Sequence, residues 1–472
     1  MIEAPVSRYA SPEMCFLFTP HYKYTTWRKL WVSLAKAEKD LGLPILPVQI
    51  AEMQKNIDSI DFDLVDSYEK KFCHDVMAHI HAFGDAAPLA KGIIHLGATS
   101  CYITDNTDLI QMKEAMILLR DKLVDVIRHL KIQAEKYVDL PCLSYTHLQA
   151  AQPTSVGKRI CLWIQDLLMD LQDLTDTIDH LQFLGLKGAT GTQASFLTLF
   201  EGDSLKVKQL EAAVSLEMGF SKVIPLSGQT YTRKQDVRIF NALSSIAVSA
   251  HKFATDLRLL AHMKEMEESF GEDQVGSSAM PYKRNPTRAE RLCGLSRYLL
   301  SLAENPVYTA ATQWLERSLD DSANRRLCIP EAFLVADSIL NLLHHLASNL
   351  VVYPKIIEKR LEEELPFLAT ENILMASVQK GQDRQVVHEA LRKISHEVAL
   401  HWKMHGEKID LIREIAKDPL FKLSEKELES ILNPNHFIGR ASEQVKEFIQ
   451  NEVEPTLHKY SSCKIYSISI EI

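Results

Sequence analysis

Three long stretches of this chain contain neither glycine nor proline: Thr99 to Leu140, Lys158 to Leu184 and Gln229 to Phe270. Runs of that length, free of the two residues that interrupt helices, predict long helices. In the second run, Ile160, Ile164, Leu167, Leu171, Leu174, Ile178 and Leu181 alternate spacings of four and three, a heptad seam that needs helices alongside it. Leu162, Trp163 and Leu168 broaden the stripe, which predicts burial in a multi-helix bundle rather than an isolated coiled coil. The seam is also long and apolar enough to predict that subunits associate through it. The third run is rich in small residues (Ala242, Ser244, Ser245, Ala247, Ser249, Ala250 and Ala254), which allow helices to approach closely. Strand patterns are scarce, and Lys464 to Ile472, which alternate weakly, form the one fair candidate.

The fold class is therefore mainly α, in three regions. Residues 1–98 mix short helices with turns, as Pro5, Pro12, Pro20, Pro44, Pro47 and Pro88 indicate. The long helices occupy 99–352, and Tyr353-Pro354 opens a region of shorter helices, 353–472. With 46% hydrophobic and 24% charged residues the chain reads as an ordinary soluble globular protein. Its net charge of −9 argues against a general nucleic-acid-binding surface, which needs a basic excess. Eight scattered cysteines without a Cys-x-x-Cys pair suit reduced thiols in the cytoplasm. The N-terminus lacks the apolar segment of a signal peptide, and no uncharged apolar run approaches bilayer-spanning length.

The most informative motif runs from Gly276 to Pro286, Gly-Ser-Ser-Ala-Met-Pro-Tyr-Lys-Arg-Asn-Pro. Two serines and their free amides share one turn with Lys283. Asn285-Pro286 predicts a helix start whose positive end faces back toward the serines. Such a loop suits a reaction in which negative charge builds up on a substrate. One serine, ionised by that setting, could act as a base, and physics alone does not choose between Ser277 and Ser278. Arg284, Arg288 and Arg291 follow at i, i+4 and i+7. Three further segments carry polar groups. Ser144 to Gln149, between Pro141 and Pro153, holds His147, and Gly97-Ala98-Thr99-Ser100 opens the first long helix. Hydroxyls and amides at a helix start make an anion site, although plain capping accounts for Thr99 and Ser100 equally well. Glu316 to Arg326 is dense in charge and includes Arg317, Ser322 and Arg326. His74, His79 and His81 lie close in sequence, but their spacing suits zinc poorly and no metal is expected.

The Gly276–Pro286 loop resembles the signature loop of the fumarase/aspartase superfamily, and its Tyr-Lys-Arg-Asn-Pro ending is similar to that of adenylosuccinate lyases. The resemblance extends from Arg8-Tyr9 through Thr146-His147 to the C-terminal region. It implies β-elimination of fumarate from adenylosuccinate and from succinyl-aminoimidazole-carboxamide ribotide, without a cofactor. It assigns the base to Ser277, the dianion contact to Lys283 and the general acid to His147, a role for which imidazole suits. His74 becomes a phosphate contact or a partner of His147, with Asp75 beside it. Thr99 and Ser100 go to the succinyl carboxylate, and Arg8, Tyr9, Gln229, Arg291, Arg317, Ser322 and Arg326 to the nucleotide. It also implies a homotetramer whose active sites combine residues of three subunits. In other members of the superfamily, such as fumarase or argininosuccinate lyase, the loop more typically reads Ile-Met-Pro-Gln-Lys or Ile-Met-Pro-Gly-Lys. A non-catalytic helical assembly, as among crystallin relatives, would not need Ser277, Lys283 and His147. One position departs from the pattern: Cys73 stands where an arginine is expected before His74-Asp75, and a neutral thiol cannot replace a guanidinium.

Overall fold

The structure, a computed structural model, describes residues 8–271 and 274–463. The weak strand pattern at Lys464 to Ile472 lies outside them. Five helices form the centre: α1 (Ser100–Lys136), α2 (Val156–Asp179), α3 (Lys234–His262), α4 (Thr287–Leu302) and α5 (Asp320–Ser348). Helix α1 packs along α2 and α5, and α3 packs along α2, α4 and α5. Ion pairs fix the relative direction of α1 and α5. Arg325 meets Asp108 at 3.0 Å near both starts, and His344 meets Asp125 at 2.9 Å further along both helices in the same direction. The two helices are therefore parallel. Arg233, just before α3, pairs with Asp105 and Asp321, so α3 starts at that same end.

All seven residues of the heptad seam are buried within this one chain, the most exposed at 7%. The bundle predicted from the broadened stripe is present, with Trp163 also buried, but the seam is covered by the chain's own helices. The expectation that subunits associate through it is thereby corrected. What α2 presents outward is Leu162 and Met169, at 51% and 64% exposure. Gly157 lies inside α2 because a Cβ there would stand 2.6 Å from the Ala134 carbonyl oxygen, so α1 and α2 touch backbone to backbone where they meet.

Two further features depart from the sequence reading. Pro141–Thr146 (β1) and Gln149–Ser155 (β2) pair antiparallel as a hairpin, where only a turn was expected. Met266–Glu267 (β3) pairs with Val351–Val352 (β4) at the far end of the bundle. Helix α5 is long and apolar enough to cross a membrane by length and composition, even with Pro330 inside it. Its most apolar window is 78% buried in the bundle core, so its hydrophobicity is spent inside the protein. Around this centre, Trp27 and Trp31 of the Pro20–Asp40 helix join the main core, as do Val445 and Ile449 near the C-terminus. A separate apolar cluster around Ile373, Val387, Ile415 and Leu428 gathers the helices of the C-terminal region.

Candidate active site

At the end where α1, α3 and α5 begin, a cleft of about 950 Å³ opens between the bundle and the N-terminal helices. Its floor is a buried charge network. Arg233 donates to Asp105 at 2.9 and 3.2 Å and to Asp321 at 2.8 Å, and Arg325 donates to Asp236 at 2.8 Å. Tyr231 donates its hydroxyl to Asp236 at 2.6 Å. Burial opposes the charge on Arg325, but the carboxylates and Tyr231 around it outweigh that and hold its pKa well above the ordinary value. The sequence reading missed this network. Its members lie in polar stretches, Thr104 to Asp108 and Thr230 to Asp236, which locally resemble exposed helix starts, and the pairing joins residues more than 80 positions apart.

The floor carries the walls. Asp321, fixed by Arg233, accepts from Arg317 at 2.8 Å and so sets that guanidinium at the cleft. Arg326 donates to Asp75 at 2.8 Å across the opening. His74 caps the Asp75–Ala86 helix, its Nδ1 accepting from Met77 N–H at 3.4 Å. Gln229 donates to the Ala189 carbonyl at 2.9 Å and accepts from Cys101, which orients its amide beside Arg317. Gly228 permits this, since a Cβ there would lie 2.5 Å from the Glu316 carbonyl oxygen. Thr99 is the N-cap residue of α1, yet its side chain makes no capping bond. Tyr102 N–H bonds the Thr99 carbonyl at 2.8 Å, which leaves the amides of Ser100 and Cys101 at the start of α1 available to an anion. Ser100 and Ser322 line the same cleft. The neighbouring histidines do not converge as metal ligands: His79 stacks on Tyr24 at 3.8 Å, and His81 stacks on Phe72 at 4.7 Å.

The remaining candidates lie toward the opposite end. His147 and Leu148 form the two-residue tip of the β1–β2 hairpin, with φ of 55° and 56°. Such turns favour Asn-Gly because both central residues are left-handed, so a His-Leu pair here is strained. Both side chains are exposed. In the signature loop, Ser277 Oγ accepts from Met280 N–H at 3.2 Å and from Ala279 N–H at 3.4 Å. The loop doubles back so tightly that a Cβ on Gly276 would fall 2.0 Å from the Lys283 carbonyl oxygen. Asn285 does not cap the following helix as expected. Its amide donates to the Gly276 carbonyl at 2.8 Å, closing the loop, and α4 begins at Thr287. The carboxylate of buried Glu268 accepts from the amides of Arg288 and Ala289, at 3.1 and 3.0 Å. The positive end of α4 is thus occupied, and the donors to Ser277 are the loop's own amides. Arg288 is used structurally, reaching the Ser269 carbonyl at 3.1 Å. Arg291 lies over the Tyr9 ring at 5.1 Å with Nη1 buried and unpaired, and Arg8 approaches the same ring at 5.8 Å.

These two groups cannot meet within one chain. Helix α1 has 37 residues, so Ser100 stands roughly 55 Å from its far end, where the hairpin is rooted. Ser322 and His345, which contacts Ser269 just before the signature loop, are on the order of 35 Å apart along α5. His74, Asp75, Thr99, Ser100, Gln229, Arg317, Ser322 and Arg326 sit at one end. His147, Ser277, Lys283, Arg8, Tyr9 and Arg291 sit toward the other.

Residues 48–299 match the family model described as Lyase, and residues 366–448 match that of the adenylosuccinate lyase C-terminus. The chain is 50% identical to adenylosuccinate lyase of Saccharomyces cerevisiae, covering 96% of this chain and 95% of that one. It is 48% identical to adenylosuccinate lyase of Schistosoma mansoni, over 98% and 97%. Among solved structures, 3-carboxy-cis,cis-muconate lactonizing enzyme of Pseudomonas putida superposes with a TM-score of 0.84 at 22% identity, covering 96% of this chain and 99% of that one. Fumarate lyase of Mesorhizobium sp. BNC1 does so at 0.79 and 19%, covering 94% and 99%. The solved structures establish the long-helix fold alone. Identity near one half along almost the full length of both chains carries the assignment further, and the chain belongs to the adenylosuccinate lyase family.

Proposed function

We propose that the chain is a carbon–nitrogen lyase that eliminates fumarate from adenylosuccinate, giving AMP, and from succinyl-aminoimidazole-carboxamide ribotide, as a step of purine biosynthesis. The observation that carries this reading is the cleft itself. Its buried carboxylates aim Arg317, its far wall offers Arg326 and His74, and the uncapped start of α1 waits for an anion. A nucleotide with a succinyl group carries anions for both kinds of site. Elimination needs a base for the proton beside a carboxylate, donors for the resulting dianion and an acid for the departing nitrogen. In this reading Ser277 is the base, its oxyanion held by the Ala279 and Met280 amides, Lys283 holds the dianion and His147 protonates the leaving group.

Because these groups lie far from the cleft in one chain, the reading needs neighbouring copies to close the site, as a homotetramer would. The strained, exposed His-Leu tip and the projecting loop, with Tyr282 at 83% exposure, suit insertion into a second copy. All eight cysteines are free thiols, which favours a reducing compartment such as the cytoplasm. The test is a purified-protein assay with adenylosuccinate, following the change in purine absorbance and fumarate release. Absence of both from a folded, assembled protein would sink the reading.

A further inference from the structure

Lys23 stands on the Pro20–Asp40 helix, half-buried in the wall of the cleft beside Tyr24, Cys73, His74, Asp75 and Asp108. The arginines of the cleft already have carboxylate partners: Arg233 has Asp105 and Asp321, Arg325 has Asp236 and Asp108, Arg317 has Asp321, and Arg326 has Asp75. Lys23 differs. Among the described residues no carboxylate stands in ion-pair contact with it and no acceptor takes a hydrogen bond from it. Its ammonium instead lies 5.8 Å from the Tyr24 ring centre and 5.7 Å from that of Trp27. Burial lowers its pKa, the fields of Asp108 and Asp75 oppose that, and those of Arg326 and Arg325 add to it. An ammonium drawn out of water without an acceptor is costly, and an incoming anion removes that cost.

We propose that Lys23 is a ligand-binding residue of this cleft and donates to a phosphate oxygen of the nucleotide. The inference rests on the nucleotide reading above and deepens it. A phosphate monoester carries close to two negative charges at neutral pH and three acceptor oxygens, so one arginine does not satisfy it. Lys23, His74 and the exposed Arg326 face the same part of the cleft, which gives such a group several donors. A carboxylate is served differently, by the amides at the start of α1. Cys73 adds no charge at this wall; its backbone is left-handed, with φ of 52°, and its thiol is exposed. A flexible point charge from the neighbouring helix is then the available cation.

The experiment compares binding of AMP and adenosine to the assembled full-length protein by calorimetry, for the unsubstituted chain, Lys23→Met, Lys23→Gln and Lys23→Arg. A charge-assisted bond to phosphate predicts that Lys23→Met and Lys23→Gln weaken AMP roughly ten- to a hundredfold. Adenosine, which lacks the phosphate, should bind all four proteins alike, and Lys23→Arg should keep most of the AMP affinity. Equal AMP binding by the unsubstituted and uncharged variants overturns the inference alone. Equal loss for AMP and adenosine also overturns it, since that is the signature of a merely structural lysine. An unsubstituted protein that binds no AMP and releases no fumarate from adenylosuccinate would remove the reading of the site, and this inference with it.

Discussion

A serine hydroxyl becomes a base only where its oxyanion is worth holding, and Ser277 has two amide donors for that purpose in its own turn. Ser277→Ala should lower turnover on the order of 10²–10⁴-fold or more while leaving AMP affinity nearly intact, because AMP carries no proton for the base to remove. Near-normal turnover in single-turnover assays would transfer the role to Ser278. His147 allows a sharper test because of its backbone. Asn tolerates left-handed φ better than His does, so His147→Asn should hold or raise the melting temperature while turnover collapses. Both residues were legible in the sequence as members of motifs. The left-handed φ of His147 was not, because nothing in Thr146-His147-Leu148 announces a two-residue hairpin turn. A variant that lost stability and activity together would make His147 a structural residue.

Helices were the legible elements because absence of Gly and Pro is read directly: α1 and α3 fall within two of the uninterrupted runs, and α2 fills most of the third after starting two residues earlier, at Val156, with Gly157 in its first turn. The same criterion obscured α5, whose Pro330 sits inside a helix that the bundle holds in place. The hairpin escaped because β2 contains Pro153 and two glutamines and offers no clear alternation. The start of α4 lies one residue beyond the one that Asn285-Pro286 predicts, for a tertiary reason. Glu268, eighteen residues before Pro286, supplies the capping acceptor that a local reading assigned to Asn285. Glu268→Ala leaves the first amides of α4 without their acceptor in a buried setting, which should cost about 1–2 kcal/mol. Because α4 anchors the signature loop, kcat should fall too, while AMP binding at the distant cleft stays. Glu268→Gln keeps an acceptor and should lose less on both counts. An unchanged melting temperature in Glu268→Ala would show that the cap is unimportant.

At the scale of the whole molecule, the parallel run of α1 and α5 carries the main consequence. It holds the cleft residues at one end of the bundle and the signature loop and hairpin at the other, and no side-chain motion spans such a separation. If both groups serve one reaction, each site takes its cleft from one copy and its loop from another. The outward faces of α2 and α3 offer apolar surface for that association in Leu162, Met169 and Val248. The sequence could name both groups, but their separation follows from helix direction, which no motif encodes. Arg326→Ala removes a cleft cation and Ser277→Ala removes the loop base, so each protein alone should be nearly inactive. Dissociated together and reassembled, they should regain activity, because some sites receive an intact cleft from the serine variant and an intact loop from the arginine variant. Random assortment would make about a quarter of sites whole in a symmetric assembly. Mixed assemblies must be demonstrated separately, by mass tags, and Ser277→Ala with His147→Gln then asks whether the loop and hairpin also come from different copies. Proven mixed assemblies of the first pair that stay inactive would place each complete site within one chain and contradict the geometry of the bundle.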